Sequence, residues 1–352
     1  MLKDLAILLQ RRFPVYLILE VTSRCNLKCR HCFNWRRQES VKAAEELTLE
    51  EFRRLSANLR SIYYLSVTGG EPTLRDDLPD IVSQFCKTNR VRVINLHTNG
   101  FDTGTIVSQV ERILSARNGS FLRVSVSIDD VGSVHDDIRG VAGSYDRAKA
   151  TIERLAEVRS RTNSMSVEVA SVVSTANAAT FPNIYSTLVD SLPVDLVNIA
   201  LVRGDSREEA YKNVPLDQYE SIIRFKNQYL DKHYPKKGLL ARGQKALNQI
   251  TNLVSLENIR EKTQVVPCQA GSRGIQISST GDVFPCEMLD FSFGNLRQSD
   301  FDIKEMLLSP KAREIRAFIR ARKCYCSFEC MIPLSIVYSP RSFPRLLNYM
   351  FR

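Results

Sequence analysis

Six runs rich in apolar and β-branched residues recur along the first two-thirds of the chain, at residues 15–21, 63–67, 91–96, 122–128, 167–173 and 196–202. Most are near-continuous in apolarity, as expected of parallel strands buried on both faces. Stretches of helical period lie between them. Thr48 with Glu51 forms a capping box, and Leu47 is placed to staple onto Phe52. Phe52, Leu55 and Leu59 then make a buried stripe. Tyr145, Ala148, Ile152, Leu155 and Val158 repeat the pattern after a Ser144 cap. Six β–α units in a row imply a parallel sheet with right-handed crossovers, hence an α/β fold built as an open or closed barrel. In such barrels chemistry gathers at the carboxyl ends of the strands.

The chain has 352 residues, 43% hydrophobic and 25% charged, the balance of a globular protein with a real core. No run approaches the roughly 18–20 uncharged apolar residues of a membrane-spanning helix. Residues 1–12 are short and amphipathic, contain Asp4, and lack a cleavage-site pattern, so a capping helix is expected rather than a secretory signal. Residues 241–260 read as a further helix with Leu247, Ile250, Leu253 and Val254 on its apolar face. After Pro267 the chain becomes cysteine-bearing and glycine-punctuated, with a β-hairpin expected over 274–278 and 282–284. The expected organisation is a capping helix at 1–14, a barrel at 15–235, a linker helix at 236–265, a metal-binding module at 266–332 and a basic amphipathic tail at 333–352.

Nine cysteines are present, and two groups are too crowded for disulfides: Cys25, Cys29, Cys32 and Cys324, Cys326, Cys330. Without a secretory signal, such clustering points to metal binding in a reducing compartment, the cytoplasm. Cys86 falls in a helical stretch and reads as a buried apolar residue. Cys25-Asn-Leu-Lys-Cys29-Arg-His-Cys32 directly follows the first strand. Three thiolates there can ligate three irons of a cubane and leave the fourth open. The competing reading is zinc with His31 as fourth ligand. Adjacent His31 and Cys32 would converge poorly on a tetrahedral ion, and structural zinc sites favour paired spacings.

This C-x3-C-x2-C loop after a first strand resembles the hallmark of the radical S-adenosylmethionine (SAM) superfamily, whose fold is a partial (β/α)6 TIM-like barrel. The resemblance implies that SAM chelates the open iron of a [4Fe–4S] cluster through its amino and carboxylate groups. One electron, from an external flavodoxin- or ferredoxin-type reductant, then breaks a carbon–sulfur bond. Methionine and a hydrogen-abstracting 5′-deoxyadenosyl radical result. Thr68-Gly69-Gly70-Glu71-Pro72 closes the second strand and resembles the family's GGE motif, where Glu71 or neighbouring carbonyls would meet the SAM amino group. Thr98-Asn99-Gly100 resembles the T-N-G that lines the SAM pocket. Ser127 and Asp129, with His135 to Gly140, resemble an S-x-D…H-D-x-x-R-G segment. Carried over, Ser127 and Arg139 contact SAM, Arg139 pairing with its carboxylate, while Asp129 is the residue there able to face substrate. Family logic puts adenine or ribose contacts near residues 173–175 and 201–203.

Cys268, Gly281 and Cys286, followed by Cys324-Tyr-Cys326-Ser-Phe-Glu-Cys330, resemble the SPASM and twitch modules that carry auxiliary clusters. A full SPASM module has more cysteines and two clusters. Five suffice here for one auxiliary [4Fe–4S] cluster with one to spare, with zinc as the competing occupant. The resemblance implies Cys268, Cys286 and Cys330 as ligands, with either Cys324 or Cys326 as the fourth. Glu287 follows Cys286, where some relatives carry the acid that accepts a proton from substrate. A solvated surface carboxylate is the other reading.

Formal net charge is +10, and from Lys304 to Arg352 ten Lys/Arg face three Asp/Glu. That balance is compatible with an anionic substrate, nucleic acid or an anionic membrane, with a solvated basic face as the default. The expected function is hydrogen abstraction from a small molecule (a sugar, aminocyclitol or lipid-linked glycan) leading to oxidation, epimerisation or rearrangement. About fourteen residues precede the first strand, too few for the recognition domain of many peptide modifiers. Peptide or protein maturation is the alternative, and an RNA-associated iron–sulfur protein a weaker one, since the case for nucleic acid is not strong. The tail is expected either to pack on the barrel or to touch a membrane peripherally.

Overall fold

The computed structural model describes residues 7–10, 13–233, 238–327 and 329–351, the side chain of Leu240 excepted. The expected capping helix lies mostly outside these residues; residues 7–9 of it are helical.

Strands β1 (Tyr16–Thr22), β2 (Tyr64–Gly69), β3 (Val93–Thr98), β4 (Phe121–Ser127), β5 (Met165–Val173) and β6 (Leu196–Leu201) are parallel neighbours in that order. The expected hairpin forms as β7 (Gly274–Ile277) and β8 (Asp282–Phe284), and a short β9 (Gly294–Asn295) follows. It does not stand apart from the barrel: β7 runs parallel to β1, in register from Tyr16↔Gly274 to Leu19↔Ile277. Every residue of β1 is buried. Without β7 its free edge would leave a row of enclosed N–H and C=O groups unpaired. The result is one nine-stranded sheet, curled but open, with β6 and β9 at its ends.

Both faces of the barrel strands are covered, but they are not alike. Leu17, Leu19, Leu65, Val67, Ile94, Leu96, Leu122, Val124, Val126, Val167 and Val169 sit at 0% exposure against the helices. The opposite face carries Tyr16, Tyr64, Ser66, Asn95, His97, Arg123, Ser125 and Asn198, which line an interior cavity. The expectation of near-continuous apolarity is thus corrected on the inward side, because the barrel encloses space for polar ligands rather than a packed core.

The capping box at the start of the helix Leu49–Asn58 is formed: Thr48 N donates to Glu51 Oε2 at 2.8 Å and Glu51 N to Thr48 Oγ1 at 3.3 Å. Ser144 is not the cap expected of it. Gly143, at φ 76°, is the N-cap of the helix Ser144–Arg159. The capping acceptor is Asp136, which takes bonds from Gly143 N, Tyr145 N and Ser144 Oγ. Asp136 comes from the preceding helix, a placement that no local pattern announces.

The open edge at β6 is covered by the helix Leu239–Arg260, which donates from Asn252 Nδ2 to Ile199 O (3.0 Å) and from Asn248 Nδ2 to Asn198 Oδ1 (2.8 Å). The C-terminal helices Met331–Val337 and Phe343–Phe351 pack on that helix through Ile332, Ile336 and Leu346 against Ile250 and Val254. Arg345 pairs with Glu257 at 2.7 Å. Of the two fates expected for the tail, packing is therefore realised, although Phe343, Leu347 and Phe351 stay exposed. No described helix is long and apolar enough to cross a membrane.

Candidate active site

The cysteine loop leaves the carboxyl end of β1 and is clamped from two sides. Gly70 N donates to Thr22 O (2.9 Å) and Glu71 N to Arg24 O (2.8 Å). A Cβ on Gly69 would lie 2.1 Å from Thr22 O, and one on Gly70 2.1 Å from Arg24 O. The close approach that requires these glycines is thus to the backbone entering the cysteine loop. On the other side Arg30 N donates to Ile138 O (2.9 Å), and Gly140, at φ 73°, would place a Cβ 2.7 Å from Lys28 O.

Glu71 is buried, and both of its oxygens accept from protein. Oε1 accepts from Thr73 Oγ1 (2.6 Å) and Thr98 Oγ1 (2.9 Å), and Oε2 from Asn99 N (2.6 Å). This carboxylate ties the turn after β3 to the turn after β2. Glu71 also lines the cavity, and its Oε2 has Asn99 N as its one partner among the described residues, so a lone pair stays available to a cationic amino group there. Asn99 Nδ2 in turn holds Asn26 Oδ1, inside the cysteine loop, at 2.7 Å.

Asp129 also departs from expectation. It is fully buried, accepts from Val172 N at 2.8 Å, and lies outside the cavity lining, so it does not face substrate. Arg139 Nε sits 2.8 Å from Asp129 Oδ2, and its Nη1 is 3.7 Å from Cys29 Sγ. Burial works against the Asp129 carboxylate, but the Arg139 guanidinium holds it below the usual range. Burial takes His31 down to about 4, so it stays neutral 3.8 Å from Asp129. Asp129 is a support for Arg139, buried because the turn after β4 folds beneath β5.

The cavity measures about 640 Å³. Cys25, Cys29, Cys32, Gly69, Gly70, Glu71, Thr98, Asn99, Ser127, Arg139, Glu287 and Cys330 all line it, so twelve of the expected site residues are brought together. Several wall residues were not expected. Arg123 forms a two-point ion pair with Glu168 (2.8 and 2.5 Å), which also accepts from Asn198 Nδ2 at 2.8 Å. Asn95 and His97 are 2.8 Å apart, and burial takes His97 down to about 4. A signal was present: polar residues at every second position inside apolar strands mark a strand face that meets a ligand rather than a core.

Burial pushes the thiols up, Cys25 to about 12, Cys32 to about 11 and Cys29 also upward. Thiolates in these positions need a compensating cation such as iron. Among the described residues no three His, Cys, Asp or Glu side chains converge as ligands of one ion do. A cubane instead asks for thiolates spread over its corners, one per iron. The donor set therefore fits a cluster better than mononuclear zinc.

A second cavity, about 70 Å³, is lined by Cys268, Cys286, Cys324 and Cys326. Gln264 orders its rim, accepting from Cys268 N (3.1 Å) and donating to Cys324 O (3.0 Å). Cys324 and Cys326 both reach it, whereas Cys330 does not. Cys330, which the resemblance groups with Cys268 and Cys286, stands at the head of the helix Met331–Val337 and lines the large cavity, hydrogen-bonded to the Tyr16 hydroxyl. Glu287 lines the same cavity with no hydrogen-bond partner among the described residues, and burial pushes its carboxyl up to about 7. Glu329 accepts from Arg203 at 2.8 Å and from Leu201 N at 3.3 Å, docking this segment on the end of β6.

An open parallel barrel with a thiol-bearing loop after β1 and a second cysteine-lined cavity carries the donor groups of an iron–sulfur protein. The sequence matches the family described as the radical SAM superfamily over residues 19–170, and an iron–sulfur cluster-binding domain over residues 268–331. Together these cover more than half of the chain, which belongs to the radical SAM superfamily and carries a C-terminal SPASM module. It is an enzyme of that superfamily, and its cofactors are SAM and [4Fe–4S] clusters.

The chain is similar to the AdoMet-dependent heme synthase of Methanosarcina barkeri (strain Fusaro / DSM 804), 29% identical over 298 residues, 82% of this chain and 81% of that one. It is also similar to the antilisterial bacteriocin subtilosin biosynthesis protein AlbA of Bacillus subtilis (strain 168), 24% identical over 82% of this chain. A third relative, the pre-heme d1 synthase of Dinoroseobacter shibae (strain DSM 16493 / NCIMB 14021 / DFL 12), is 36% identical over 38% of this chain. The matches span 59% of AlbA and 32% of the pre-heme d1 synthase. The fold is shared with Streptococcus suis SuiB bound to S-adenosylmethionine: TM-score 0.62 and 18% identity, over 87% of this chain and 68% of that one.

Proposed function

We propose that this enzyme abstracts a hydrogen atom from a small polar molecule held between the cysteine loop and the polar inner face of the barrel. In this reading Cys25, Cys29 and Cys32 hold the SAM-binding [4Fe–4S] cluster, and Cys268, Cys286, Cys324 and Cys326 hold one auxiliary [4Fe–4S] cluster. The SAM-bound cluster supplies a one-electron cleavage of SAM that yields the hydrogen-abstracting radical, the electron coming from an external flavodoxin- or ferredoxin-type carrier. Ser127 and Arg139 bind SAM, and the backbone around Gly69, Gly70, Thr98 and Asn99 shapes its pocket. Arg123 and Asn198 orient the substrate, and Glu287 exchanges a proton with it.

The observation that carries this reading is the cavity itself. Its volume of about 640 Å³ is of the size that encloses small ligands and, shared with SAM, leaves room for a compact substrate. A sugar, an aminocyclitol or the head of a lipid-linked glycan suits the hydrogen-bonding wall formed by Arg123, Asn95 and Asn198. A peptide side chain entering the same chamber is the second reading, favoured by the likeness to AlbA. The lipid-linked case gains support from Phe343, Leu347 and Phe351, exposed at helical spacing on the last helix. Flotation with anionic liposomes tests it, and equal flotation of the chain and a Phe343→Ser/Leu347→Ser variant sinks it.

Iron and sulfide per chain after anaerobic reconstitution, together with 5′-deoxyadenosine release, test the main reading. About eight irons falling to about four in the Cys25→Ala/Cys29→Ala/Cys32→Ala variant, with release abolished, is the expected result. About four irons plus zinc in the unmutated chain would remove the auxiliary cluster.

A further inference from the structure

The large cavity does not end where the motif residues end. Its lining runs from the cysteine loop, beyond the last residue of β1, to Val15, just ahead of the first residue Tyr16. Tyr16 and Thr22 are about 20 Å apart along the strand. Over that length the walls change character. Asn95, His97, Arg123, Ser125 and Asn198 offer hydrogen bonds midway, whereas Leu8, Val15, Leu196, Leu247, Leu334 and Val337 line the amino-terminal end. Two short segments close that end. A Cβ on Gly274, which pairs with Tyr16, would lie 3.0 Å from Leu334 Cδ2, so the helix Met331–Val337 crosses the starts of β1 and β7. The Tyr338 hydroxyl then donates to Leu8 O at 2.5 Å, tying the end of that helix to residues 7–9. The cover is incomplete. Val337 lines the cavity and is also 39% exposed, so the apolar end reaches the surface there. Leu9, beside Leu8, and Leu239, at the start of the helix that supplies Leu247, are exposed as well.

A recess walled by aliphatic side chains gives water no partners and a polar group no compensation, so what fills it favourably is hydrocarbon. We propose that the substrate is an amphiphile: its polar head lies against Arg123, Asn95 and Asn198, and its linear acyl or prenyl chain lies along the apolar end of the cavity and leaves past Val337. This rests on the function proposed above and narrows its substrate class. The direction of the chain follows from the geometry. The cysteine loop occupies the carboxyl rim of the barrel, so a chain carried by a head group held midway has the opposite end to run to. Each methylene buried there adds to affinity, while the polar wall fixes which carbon of the head faces the cysteine loop. The exposed Leu9, Val337 and Leu239 around the opening suit transfer of such a chain from a lipid phase.

The test titrates the reconstituted full chain with octyl, decyl and dodecyl maltoside by calorimetry, each below its critical micelle concentration. The expected result is one molecule per chain, with affinity rising about fourfold for each added methylene, and no heat from maltose alone. Val337→Lys puts a charge in the opening, and Leu247→Ser strips one wall. Each is expected to weaken dodecyl maltoside binding at least about tenfold while iron content stays that of the parent chain. Val337 is already partly exposed, so its variant keeps the test decisive should Leu247→Ser fail to fold. Leu308→Lys, at an exposed leucine that does not line the cavity, serves as the control and should bind as the parent does. The Phe343→Ser/Leu347→Ser variant should also bind as the parent does, since the cavity and not the last helix holds the chain. Affinity independent of chain length, several molecules per protein, or equal affinity in Val337→Lys overturns the proposal. Release of 5′-deoxyadenosine is followed in parallel. Release with flat affinities sinks the chain site alone; length-dependent binding without release sinks the function proposed above and leaves the chain site standing.

Discussion

Arg139 places its Nε 2.8 Å from the Oδ2 of Asp129, a residue with no exposed surface. The pair joins the helix Gly132–Arg139 to the end of β4, and the same guanidinium reaches Cys29. Removing one partner of a buried ion pair leaves an uncompensated charge. Asp129→Asn is therefore expected to cost about 3–5 kcal/mol, read as a fall in Tm. A loss no larger than that of an exposed control such as Asp146→Asn would mean the pair is not what holds Arg139.

Gly70→Ala tests the clamp on the cysteine loop. Its Cβ would meet Arg24 O at 2.1 Å, so the loop must move. Reconstituted iron is expected to drop by about half, to about four per chain, while the auxiliary cluster persists. Gly104→Ala, whose nearest new contact is 3.8 Å away, serves as the control and should keep its full iron. Unchanged iron in Gly70→Ala would show that the loop tolerates the displacement.

Glu51 couples a barrel helix to the C-terminal region, since its carboxylate accepts from Arg297 Nε at 2.6 Å besides completing the capping box. Hydrogen bonds from Arg297 hold its carboxyl at about 2. A carboxyl held low stabilises the fold fully above its ordinary value near 4.5, and that contribution is lost as pH falls through about 2. Glu51→Gln is expected to cost about 1 kcal/mol at neutral pH, a modest figure because the pair is partly open to solvent. Its denaturation curve should converge on that of the parent chain as pH falls from 4.5 towards 2. Curves that remain parallel would place the effect elsewhere.

Cys86 is 1% exposed in the helix Leu78–Asn89 and far in sequence from either cysteine group. Cys86→Ala should leave iron content and 5′-deoxyadenosine release unchanged and cost about 1–2 kcal/mol of stability, the price of a small core cavity. Any loss of iron would give Cys86 a role at a cluster.

Much of the architecture was legible because it is local. The six parallel strands, the hairpin, the capping box at Thr48 and Glu51, and the long helix Leu239–Arg260 all rest on short-range periodicity and turn chemistry. The motif residues around Cys25, Gly69 and Asn99 were legible for the same reason: each sits at or just beyond the end of its own strand, and parallel strands deliver their ends to one rim. The polar inward face was also written at every second position of the strands, where apolar neighbours hid it.

What only the tertiary structure decided depends on contacts distant in sequence. Asp136, not Ser144, caps its neighbour helix because the preceding helix Gly132–Arg139 carries it there. Glu71 and Asp129 look like free carboxylates in the sequence, yet folding surrounds them with donors: Asn99 N and Thr98 Oγ1 for one, Arg139 and Val172 N for the other. Cys330 lies four residues beyond Cys326 in the chain but opens onto a different cavity. Spacing in sequence brings cysteines near one another. The direction in which each thiol points is set by the helix that begins at Met331 and by its docking against β6 and β1, which a linear pattern does not encode.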